Sequence, residues 1–74
     1  GPLGETTDID ARISELEAQK AKNEQDFKQR AEMLQKMVER NPAMKESLEK
    51  EHDFHKPQQS HIDEMIQTIR QKKD

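Results

Sequence analysis

Residues 27–48 read FKQRAEMLQKMVERNPAMKESL, and the fold turns on how this stretch is understood. Phe27, Ala31, Leu34 and Val38 fall on one helical face, with Arg30, Met33 and Met37 beside them, so the apolar stripe is doubled here. Asn41-Pro42 then interrupts, and Met44 and Leu48 resume the apolar spacing. Proline fixes its own φ, lacks a backbone donor and pushes the preceding residue out of the α region. Asn41 therefore reads as a cap or hinge, and Pro42 as the first residue of a new helix.

Working outward, steps of four and three residues from Ile9 give Ile9, Ile13, Leu16, Lys20, Asn23, Phe27, Arg30, Leu34 and Met37, the a/d seam of a coiled coil. Continuing through Asn41, the same count meets Met44, Leu48, Glu51, His55, Gln58, Ile62, Met65 and Ile69. Eleven of these eighteen positions are apolar, about twice what the 28% hydrophobic composition would place there at random. Thr7, followed by Asp8 and Asp10, predicts an N-cap with acidic charge in the first turn. Lys56-Pro57 predicts a second break, with Ser60 and Asp63 as the capping pattern of a third helix that ends on Arg70, Lys72 and Lys73. Helices are thus expected over about 8–40, 42–56 and 60–73. Glu24–Lys28, Asp26–Arg30, Glu32–Lys36 and Glu46–Lys50 should support their surfaces as i,i+4 pairs.

Two all-α architectures satisfy this spacing: one long kinked helix in a coiled coil, or an antiparallel hairpin folded at Asn41. A parallel homodimer would set Arg30 against Arg30 and Glu51 against Glu51. Folding back pairs positions whose numbers sum to about 81, as facing layers of antiparallel helices require. Arg30 then meets Glu51, Phe27 meets Phe54, Met37 meets Met44 and Leu16 meets Met65. Opposite charges and apolar partners come together, so the hairpin is the expected form, with Arg30 and Glu51 setting its register. Ala31 and Val38 on one flank and Met33 on the other widen the stripe beyond what one neighbouring helix hides. With Phe54 and Ile66 they form the expected partner or oligomer surface.

Composition bounds the rest. Leu, Ile, Val and Phe together number only twelve of 74 residues, too few for an ordinary globular core. Thirteen basic against sixteen acidic residues leave a net charge of −3, short of the imbalance typical of disorder. Ala, Glu, Lys, Leu and Arg contribute 32 residues and Gln eight more, all strong helix formers. The chain has no cysteine, so no disulfide, thiolate metal site or catalytic thiol is available to it. Its only glycines, Gly1 and Gly4, fall in Gly1-Pro2-Leu3-Gly4, which reads as the scar of a cleaved fusion tag, leaving residues 5–74 as one coiled-coil segment of a larger scaffold or adaptor protein.

The chemistry-bearing residues are few. His52 and His55, with Glu51, Asp53 and His61 nearby, have ligand types zinc accepts, but a polar helix end is the simpler reading, and no metal, cofactor or catalytic residue is assigned. A half-buried His55 would instead make the seam pH-sensitive, its protonation adding charge to the interface. The acidic balance and the lack of an aromatic stacking platform argue against nucleic acid, and no apolar run spans a membrane. In length and hairpin architecture the chain resembles Rho-effector-type helical hairpins. That resemblance implies a monomeric regulatory domain docking on a folded partner such as a small GTPase. The residues themselves favour a non-enzymatic oligomerisation or protein-interaction module, cytoplasmic or nuclear, whose partner is a second copy or another helical protein.

Overall fold

The computed structural model describes the backbone of residues 2–73 and the side chains of residues 8–72. Helix α1 runs Pro2–Arg40, a 3₁₀ turn covers Pro42–Met44, and α2 runs Lys45–Lys73. At 1.5 Å per residue, the 39 residues of α1 span about 58 Å. The molecule's long axis is 59 Å, so α1 alone sets its length and α2 lies back along it. The chain is an all-α antiparallel hairpin.

The reversal needs no glycine, because Asn41, the one residue between α1 and the 3₁₀ turn, is extended rather than left-handed, at φ −143° and ψ 95°. Its N–H still donates to Met37 O at 2.8 Å, closing the last turn of α1. Its side-chain oxygen accepts from Ala43 N at 3.2 Å, and its carbonyl accepts from Met44 N at 2.9 Å. Asn41 thus caps both sides of the turn, and Pro42 occupies the first 3₁₀ position, where a missing donor costs little.

Three expected boundaries move. α1 begins at Pro2 rather than near Thr7, since proline suits a first helical position and nothing between them stops the helix; the Thr7 side chain lies outside the described ones. α2 starts at Lys45 and passes through Pro57 without a break, which places Ser60 inside the helix instead of at a cap. The reason lies in where Pro57 points. His55, Gln59, Ile62 and Ile66 are buried, whereas Pro57 is exposed on the opposite face. The Asp53 carbonyl that Pro57 leaves without a donor therefore faces water, while packing on both sides of the proline holds the helix together.

The core sits at the open end of the hairpin. Leu16, Ile62 and Ile66 are buried, with Ile13, Met65 and Ile69 packed against them. Ile66, expected on the surface, takes the core place expected of Met65, and buried Gln59 takes that of exposed Gln58. In α1, half-buried Ala31 and Val38 likewise displace exposed Arg30 and Met37. Each arm therefore makes one extra step of four, from Phe27 to Ala31 and from His55 to Gln59. A straight helix of 3.6 residues per turn drifts against a strict seven-residue repeat, and such a step resets the phase. The two resets face each other where Phe27 meets His55.

Candidate interaction site

Between Leu16 and His55 no side chain is buried, so the turn half of the hairpin is an open seam. Ile9, Phe27, Ala31, Leu34, Val38, Met44 and Leu48 are all half-buried there or at the α1 start, while Met33, Met37 and Phe54 are 57%, 41% and 65% exposed. Phe54 does not meet Phe27. Phe27 instead stacks on His55, ring centroids 3.9 Å apart, and takes the edge of His52 at 5.1 Å. His55 is the seam position of this layer, whereas Phe54, one residue earlier, lies about 100° round the helix and is exposed.

Next to this stack lies a polar layer. His55 Nε2 is 2.8 Å from Glu24 Oε2. An ionised carboxylate only accepts, so Nε2 carries the proton. Gln59 Nε2 donates to Lys20 O at 3.0 Å and to Glu24 Oε2 at 3.4 Å. The hydrogen bond from His55, helped by its charge, by Gln59 and by Lys20, holds the Glu24 carboxyl below its ordinary value of 4.5. Asn23 Nδ2, His55 Nδ1 and Gln59 Oε1 are buried without a described partner, each at a cost of about 1–3 kcal/mol.

Ion pairs flank the seam along its length. Arg30 meets Glu51 at 3.2 Å, as the antiparallel register requires, and Lys20–Asp63 at 2.6 Å and Glu17–Arg70 at 2.7 Å extend the ladder. All are partly exposed, so each contributes roughly 0.2–1 kcal/mol and does more for register than for stability. Of the expected i,i+4 pairs, Glu46–Lys50 forms at 3.3 Å, Arg30 is diverted to Glu51, and Arg12–Glu15 is added at 3.2 Å. The polar layer escapes a strict seven-residue count because Glu24 and Gln59 lie off that repeat. The signal that finds them is Gln59, four residues after His55 and three before Ile62.

Beside the open seam, Phe27, Ala31, Leu48 and His52 floor a groove between α1 and α2, rimmed by Glu24, Lys28, Glu32 and Gln35, with a volume of about 440 Å³. Among the described residues no group of three His, Asp or Glu side chains is arranged to hold a metal ion, and no helix is long and apolar enough to cross a membrane. Comparison with protein-family models, curated proteins and solved structures finds no match to this chain.

Proposed function

We propose that this hairpin is a non-enzymatic assembly module, a coiled-coil element that associates with a second copy of itself and so holds copies of a larger scaffold or adaptor protein together. The observation that carries this reading is the open seam: its apolar side chains converge between the helices, yet none from Glu17 to Phe54 is buried. Two helices leave such a stripe half wet, and a further helix pair laid against it would remove its apolar area from water at roughly 25 cal/mol per Å². Among the described residues the core holds three buried apolar side chains, which is thin for a chain this size and gives association a stabilising role as well.

Sedimentation velocity and circular dichroism over about 1–200 µM test it. Mass and helicity should rise together with concentration, because folding and association share the same apolar surface. A fully helical monomer throughout would sink the proposal. The second reading, docking on a folded partner such as a small GTPase, draws on the same groove of Phe27, Ala31, Leu48 and His52.

A further inference from the structure

We infer that the face built on α1 around Ala31 is the surface on which a second copy docks, antiparallel and about a twofold axis; this rests on the assembly reading above. The groove's floor is apolar apart from His52, and its rim carries Glu24, Lys28, Glu32 and Gln35 from α1. Lys28 and Glu32 enter no ion pair with another described residue, unlike Arg30, Glu17 and Lys20, which are taken up within the hairpin.

A twofold axis near Gln29–Arg30 sets antiparallel copies of α1 face to face, and a contact of that kind must be self-complementary. This stretch is. Lys28 of one copy meets Glu32 of the other, twice by symmetry. Glu24 meets Gln35, Ala21 meets Val38, and the small Ala31 near the axis lets the helices approach closely. Of the three charged rim residues, Lys28 and Glu32 pair across the axis, while Glu24 is already engaged by His55 and Gln59 within its own hairpin. The other edge of the seam lacks this property. There, Arg30–Glu51 stands between Phe54 and the two exposed methionines, one helical turn from each side, and breaks the apolar surface in two.

The test is charge exchange read by sedimentation velocity, with circular dichroism to follow helicity. The parent chain should dimerise. K28E and E32K should each weaken self-association at least about tenfold, because both symmetric pairs become like-charged. Mixing K28E with E32K in equal amounts should recover the dimer. The new carboxylate of the first chain then meets the new ammonium of the second, and the Glu32 that the first retains meets the Lys28 that the second retains. The double variant K28E/E32K, identical in composition to the parent, should dimerise alone. A parent that stays monomeric overturns both this inference and the assembly reading. A parent that associates while K28E and E32K associate equally well overturns only the choice of face. Single variants that dissociate while neither the mixture nor the double variant recovers overturn the antiparallel twofold.

Discussion

The imidazole of His55 lies flat on the ring of Phe27, 5° from parallel with 3.9 Å between centroids, where the extra four-residue steps of the two helices meet. An aromatic pair in that position joins the apolar seam to the polar layer beside it. Replacing Phe27 with Ala removes the stack, the edge contact with His52 and part of the groove floor together, and should cost about 3 kcal/mol. Phe54→Ala, at a side chain left 65% exposed, should stay within about 0.5 kcal/mol of the parent. Thermal melts by circular dichroism of the two variants compare them directly. Equal losses would mean that the phenylalanines face each other after all.

That contrast also shows how far the sequence can be read. The hairpin, its hinge at Asn41 and the Arg30–Glu51 pair follow from a seven-residue repeat and opposite charges, both visible in the residues. The Phe27–Phe54 pairing does not hold, because it rests on the register sum of about 81 alone, while the repeat itself puts His55 on the seam and Phe54 about 100° round the helix from it. Leu16 is buried as expected, and Met65 packs against the same core half-buried, with Ile66 next to it taking the fully buried place after the reset. Pro57 reads as a break because proline's cost is local and visible, whereas the packing of His55, Gln59 and Ile62 that carries the helix past it is tertiary.

Glu24 gives the fold an acid limb. A carboxyl held below its ordinary value of 4.5 stabilises the folded state above that pH, and the contribution is lost as pH falls through the lower folded value. The loss should therefore appear below pH 4.5. Glu24→Gln keeps an acceptor for His55 but has no proton to take up, so its urea midpoint should fall less between pH 5 and pH 3 than that of the parent. Parallel pH profiles for the two chains would remove Glu24 from this role.

Gln59 spends a buried position on a side chain whose Oε1 has no described partner. Its amide nitrogen donates to Lys20 O and to Glu24, groups that are served elsewhere or partly wet. Gln59→Leu should thus raise stability by about 1 kcal/mol, or roughly 4–8 °C in Tm for a domain of this size. The same change erases part of the polar layer, so the register should become less unique. Cysteines placed at Glu17 and Arg70, whose side chains pair in the parent with Oε1 2.7 Å from Nη2, read that out through a spacer cross-linker. A lower Tm for Gln59→Leu would show that the amide stabilises more than its orphaned oxygen costs.

Pro57 offers the most direct test of a continuous second helix. An interior proline is about 3 kcal/mol less favourable than alanine, since it removes an i→i−4 hydrogen bond and crowds the carbonyl four residues back. Here the helix crosses that position with the ring on its exposed face, so substitution disturbs no packing and only restores the bond to Asp53 O. Pro57→Ala should raise stability by about 1–3 kcal/mol, with the ellipticity at 222 nm of the folded chain nearly unchanged because the helix already spans the site. Two separate helices meeting at a true break would behave otherwise. Alanine there would raise helicity by joining them, or leave stability flat because no helical bond was missing.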